Sequence, residues 1–151
     1  MNTAAPRIVL DTNACLDLWV FGDPRAAVLL AALRDGAVQA VTNAACRDEW
    51  LHVLHYPRLR LTAPARDAHA GAYDAMVQCL DDGVAASPAG VTLPRCADPD
   101  DQKFLQLALA SGARWLVSRD GDVLALGHRT RRDGLFAILS PQAWALTGPP
   151  P

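Results

Sequence analysis

The feature that most constrains this chain is a short apolar run, Ile8-Val9-Leu10, that ends abruptly at Asp11-Thr12-Asn13. A β-branched run with no polar alternation reads as a strand covered on both faces, as in the interior of a parallel sheet. Parallel neighbours cannot be joined by hairpins, so helical crossovers must separate them. The rest of the chain supplies that pattern. Strands are expected at Val38–Val41, Trp115–Val117 and Phe136–Leu139, with one more short strand within Val84–Leu93. Stretches of helical periodicity lie between them. The expectation is an α/β fold with helices on both faces of a parallel sheet.

The helix boundaries are written in the punctuation. Ala14–Phe21 reads as a short helix closed by Gly22. Asp23 as N-cap and Pro24 at the first position open a second helix to about Arg34. Asn43 caps a third, carrying Cys46, Glu49, Trp50, Val53 and Leu54 at three- and four-residue spacing, and Pro57 stops it. From Pro64 a fourth is expected to end near Asp81-Asp82-Gly83, with Ala68, Ala72, Ala75, Met76, Cys79 and Leu80 on one face. Asp98-Pro99-Asp100-Asp101 is a strong start for a helix to Ser111, which Gly112 ends. A helical turn over Val123–Leu126 leads into a loop holding Arg129, Arg131 and Arg132. Ser140-Pro141 opens a last helix through Trp144. One domain is expected, with its core at about residues 7–146 and a tail over 147–151.

Composition narrows the class. Half of the 151 residues are apolar, so a sizeable core is affordable. No apolar run is long enough for a membrane span, and Met1–Pro6 lacks the basic start and apolar stretch of a signal peptide. The four cysteines form no CxxC pair, and reduced thiols in a cytoplasmic protein are expected. A net charge of −2 argues against nucleic-acid binding through a broad basic surface. Arginine supplies thirteen of the fourteen basic side chains and aspartate fifteen of the sixteen acids, leaving Lys103 and Glu49 each alone of its kind.

Four acids stand out by context. Asp11 and Asp120 each follow an apolar strand, where open α/β sheets bind their ligands. Asp101 lies in the first turn of a helix, and Glu49 lies beside the apolar stripe of its own. Each has a structural explanation: Asp11 or Asn13 as a helix cap, Asp101 as a partner of the helix dipole, Asp120 as a turn residue, Glu49 as a partner of Arg47 or His52. Together at one sheet edge they would repel one another unless a cation compensated them. Mg²⁺ or Mn²⁺ is the counter-ion such oxygens select, and it supports water attack at phosphorus. The chain has no zinc-type Cys/His spacing, no P-loop, no GxGxxG and no GxSxG, and His52, His55, His69 and His128 are scattered.

Four stretches in this order resemble the PIN-domain nucleases, in particular the bacterial branch described as toxins of toxin–antitoxin systems. They are Ile8–Asn13; the helix of Glu49 continuing through Trp50-Leu51-His52-Val53-Leu54 to Tyr56-Pro57-Arg58-Leu59; Asp98–Ala108; and Leu116–Asp122. The likeness runs from about Arg7 to Leu146. It implies a three-layer α/β/α sandwich with a central parallel sheet and an Mg²⁺- or Mn²⁺-dependent ribonuclease. The family's four acids fall on Asp11, Glu49, Asp101 and Asp120, with Asp122 an alternative for the last and Asp100 a rival for the third. Thr12, Asn13 and Ser118 match the polar residues around the metal. Arg119, Arg129, Arg131 and Arg132 are the candidate contacts to RNA.

An antitoxin protein and a homodimer are the partners the resemblance implies. The stretch Leu16–Phe21, with Trp19, is a candidate contact surface unless Trp19 is core. The competing class is a non-catalytic PIN module that binds RNA or a protein. A haloacid-dehalogenase phosphatase would need an acid where Asn13 stands. A phospho-receiver domain would need its lysine after the last strand, whereas Lys103 is on a helix.

Overall fold

In the computed structural model, which describes residues 4–81 and 90–147, β1 (Arg7–Leu10) lies at the centre of one five-stranded sheet. Its residues explain that place: Ile8 and Val9 are almost fully buried, and Leu10 is nearly so. β2 (Gln39–Thr42) and β4 (Trp115–Val117) flank it, β3 (Val77–Cys79) lies beyond β2, and β5 (Ala137–Leu139) lies beyond β4. The order is β3-β2-β1-β4-β5 and every pairing is parallel. Val9 is in register with Val41 on one side and Leu116 on the other.

Side-chain alternation along β1 divides the core in two. Ile8 and Leu10 join Ala40, Trp115 and Val117 on one face, against Leu29, Trp50, Tyr73 and Trp144 from the helices. Val9 joins Val41, Leu116 and Ile138 on the other, against Phe104, Leu105, Ala108 and Val123. This is the expected three-layer α/β/α arrangement, with helices on both sides of the sheet.

The helices start and stop where their residues dictate. Asp11 caps α1 (Thr12–Cys15), which continues as a π-helical turn over Leu16–Val20. Asp23 caps a 3₁₀ turn, Pro24–Ala26, that leads into α2 (Ala27–Asp35), and Gly36 ends α2 in the left-handed conformation. Asn43 caps α3 (Ala44–Val53), and Thr62 caps α4 (Ala63–Met76), with Pro64 in its first turn. Asp98 caps the 3₁₀ turn Pro99–Asp101, which feeds α5 (Gln102–Ser111). Short helices α6 (Gly121–Leu124), α7 (Gly127–Arg132) and α8 (Pro141–Thr147) complete the chain. The aromatic rings of Trp19, Trp50 and Tyr73 meet with centroids 5.4–6.2 Å apart, tying the π turn to α3 and α4. Trp19 therefore packs toward the core, and Phe21 is the exposed large side chain of that stretch.

Three sequence expectations are corrected, and a fourth is tested only in part. The fourth helix stops at Met76, not near Asp81: Val77 is extended and Val77–Cys79 pairs with Ala40–Thr42. Strand pairing there overrides a helical spacing that a β-branched residue supports poorly. The inward residues of α4 are Tyr73, Ala70 and Met76, while Ala68 and Ala75 are exposed. Residues 90–93 form no strand, and the rest of the expected 84–93 strand lies outside the described residues, as does the tail from Gly148. Arg129, Arg131 and Arg132 are on α7, not in a loop. Among the described residues no helix is long and apolar enough to cross a membrane.

Candidate active site

The strand order sets the position of the site. From β1 the chain builds outward through β2 to β3, then returns to place β4 on the other side of β1. The carboxyl ends of β1 and β4 therefore flank the point where the winding reverses, the crevice in which such sheets bind ligands. Asp11 ends one of these strands and Ser118-Arg119-Asp120 follows the other.

Asp11 is only 4% exposed. Its Oδ1 accepts the Thr12 backbone N–H at 2.6 Å, and its Oδ2 accepts the Ser118 hydroxyl at 2.7 Å. The same Ser118 oxygen accepts the Asp120 N–H at 3.0 Å, and Asn13 Oδ1 accepts the Arg119 N–H at 2.8 Å. Asn13 and Ser118 thus stitch the β1 and β4 ends together around one carboxylate. Burial raises the Asp11 carboxyl to about 6; the Ser118 and Thr12 bonds pull the other way, and the charges of Glu49 and Asp120 add to the rise.

Asp101 comes to the same place from the turn before α5. Burial, then the charges of Asp11, Asp120, Asp98 and Glu49, push its carboxyl up to about 7. Among the described residues no hydrogen bond or ion pair engages that carboxylate. The neighbouring Cys96 thiol is pushed up to about 11 by burial, and next by Asp101, Asp11 and Asp120, so it feels the same three acids. Asp100 is exposed and offers its backbone carbonyl to Lys103, and Asp122 is exposed on α6. The largest charge effects on Asp11 come from Glu49 and Asp120, and those on Asp101 from Asp11, Asp120, Asp98 and Glu49.

Glu49 reaches the site from α3, but both its oxygens are engaged. Oε2 accepts the Thr12 hydroxyl, and Oε1 pairs with Lys103 Nζ at 2.8 Å. The sequence marked Lys103 as the single lysine, on a helix, but gave it no part in the site. Asp17 was missed as well. It is buried on the π turn, pairs with Arg119 Nε at 2.6 Å and accepts a hydrogen bond from Gln142. Arg119 is thereby drawn away from the acids. On α7 the three arginines are exposed; Arg132 pairs with Asp133 at 3.5 Å, and among the described residues Arg129 and Arg131 have no ion pair.

The protein-family model described as the PIN domain matches residues 7–122, from the start of β1 into α6. The chain belongs to the PIN domain family. Asp11, Glu49, Asp101 and Asp120 lie inside the matched region, whereas β5 and α8 lie beyond it. No curated protein gives a significant match to the chain. PIN domains are nuclease modules that usually bind divalent metal ions. Among the described residues, no three His, Cys, Asp or Glu side chains are arranged to hold a metal ion. The donors here are all hard oxygens, and two of them are carboxyls raised by burial and mutual repulsion. That chemistry fits Mg²⁺ or Mn²⁺: Mg²⁺ usually retains several waters and needs only one or two carboxylates, not a closed cage.

Proposed function

We propose that this PIN domain is a divalent-metal-dependent endoribonuclease that hydrolyses phosphodiesters of single-stranded RNA, and that it serves as the toxin of a toxin–antitoxin pair. The observation that carries the reading is the convergence of Asp11, Asp101 and Asp120 at the carboxyl edge, with two of those carboxyls raised well above their ordinary value. Burial is the first cause of the rise and the neighbouring acids come next, so Asp11 and Asp101 when ionised favour a cation beside them. A divalent ion held there supplies charge stabilisation at phosphorus and a stronger water nucleophile at neutral pH.

The chain's own residues do the rest. Asp11, Glu49, Asp101 and Asp120 would hold the ion. Ser118 fixes one Asp11 oxygen and the Asp120 backbone, so the two strand ends keep their spacing. Thr12 and Lys103 orient Glu49 at the rim of the group. No histidine is required. The phosphate backbone needs local positive charge, and Arg129 and Arg131 on α7, exposed and in no ion pair among the described residues, would supply some of it.

The experiment is a labelled RNA incubated with Mn²⁺, with EDTA as control. Cleavage should require the metal and leave a 5′-phosphate and a 3′-hydroxyl, because water and not the ribose 2′-hydroxyl attacks. Cleavage that persists in EDTA, or ends in a 2′,3′-cyclic phosphate, contradicts the mechanism. For the toxin role, expression of the wild-type chain should arrest bacterial growth and Asp11→Asn should not. Equal growth of the two strains, with both proteins present in soluble form, counts against it.

A further inference from the structure

Lys103 is the chain's single lysine, against thirteen arginines. Its ammonium lies 2.8 Å from Glu49 Oε1 and 2.7 Å from the Asp100 carbonyl, and 5.3 Å from the centroid of the Phe104 ring. About a quarter of each side chain of the Lys103–Glu49 pair is exposed, so the pair is neither fully hydrated nor sealed. The other Glu49 oxygen is held by Thr12, the residue next to Asp11. Arg119, the nearest arginine in sequence to Asp120, is committed to Asp17 instead. Among the described residues, Lys103 is therefore the one cationic side chain paired with an acid of the group that contains Asp11, Glu49, Asp101 and Asp120.

We propose that Lys103 is a built-in counter-charge that occupies Glu49 in the metal-free site and competes with a divalent ion for it, so that it weakens metal binding while stabilising the empty protein. This inference rests on the metal-site reading above. A compact ammonium on a flexible stem suits such a role: it neutralises a carboxylate as a point charge and can withdraw, where a guanidinium would hold by two bonds. Like charges repel through a partly exposed site, so a divalent ion arriving at these acids meets Lys103 as an opposing field.

The prediction runs against the usual effect of breaking an ion pair. In EDTA, Lys103→Met should melt at a lower temperature than wild type, because the acids lose the one cationic side chain paired with them among the described residues. Calorimetry should nevertheless show Mn²⁺ binding about tenfold tighter in Lys103→Met, and in Lys103→Gln as a second neutral variant. Lys103→Arg, which keeps the charge, should bind Mn²⁺ as wild type does or more weakly. Adding Glu49→Gln to Lys103→Met should remove most of the gain, since the two side chains act on one another. A lysine that only braces the fold would lower the melting temperature with and without Mn²⁺ and leave the affinity unchanged or weaker. That result overturns the proposal while leaving the metal site intact. Absence of Mn²⁺ binding in wild type would overturn the metal-site reading and this inference together.

Discussion

At the scale of single residues, Asp11 and Asp101 are held at a cost. Their carboxyls stand at about 6 and about 7, against about 4 in an unfolded chain. Between about pH 4 and pH 7 the folded protein therefore binds more protons than the unfolded one. Where that is so, stability falls as pH rises. The contribution of these groups is complete below pH 4 and is lost as pH climbs through the folded values. Metal-free wild type should consequently lose stability across this window. Asp11→Asn keeps an acceptor for the Thr12 N–H but removes the charge. We expect it to be more stable than wild type at pH 8 by about 1–2 kcal/mol and nearly equal at pH 4. Urea unfolding in EDTA at the two pH values measures this, and an unaltered pH dependence would show that the Asp11 charge is not under strain. Activity and stability are opposed at this position, as is common where a site concentrates like charge.

At the scale of elements, most of the chain was legible because local signals agreed with tertiary packing. Asn43 was expected to cap α3 and does so, with its side chain accepting the Cys46 N–H. Asp98-Pro99 opens the turn before α5 as its residues suggest. β3 was not legible, because three residues at a sheet edge give too short a pattern to outweigh a helical spacing running through Ala72 and Met76. α7 was hidden by its composition: Gly127-His128-Arg129-Thr130-Arg131-Arg132 looks like a solvated loop. What makes it an element is contact. A Cβ on Gly127 would come within 3.0 Å of the Ile138 carbonyl oxygen, so glycine lets α7 lie directly against β5, and Thr130 is fully buried beneath it. The arginines are thus presented from a docked helix. If they hold RNA, replacing Arg129 and Arg131 together by Ala in an Asp11→Asn background should weaken binding of a single-stranded RNA. The slope of log affinity against log salt should flatten by roughly 0.7 for each arginine. An unchanged slope would assign both side chains to solvent.

At the scale of the whole molecule, the sheet order is what turns separate motifs into a site. Asp11 and Ser118 lie 107 residues apart in sequence and share a hydrogen bond, because β1 and β4 are neighbours. The sequence suggested that acids following two apolar strands could meet, and strand adjacency supplies the reason. It held no signal that Glu49 would turn to Lys103, 54 residues away, or that Arg119 would turn from the acids to Asp17. Those choices depend on how α3, α5 and the π turn pack, and no local pattern encodes them. The account as a whole stands on Asp101, whose half-buried carboxylate has no partner among the described residues. The most direct measurement is the single-turnover rate at which Asp101→Asn, shown to be folded by circular dichroism, cleaves labelled single-stranded RNA in Mn²⁺. The rate should fall by about a hundredfold or more relative to wild type, with Asp122→Asn remaining near wild type. A rate for Asp101→Asn close to that of wild type, or an equal loss in Asp122→Asn, would contradict the site.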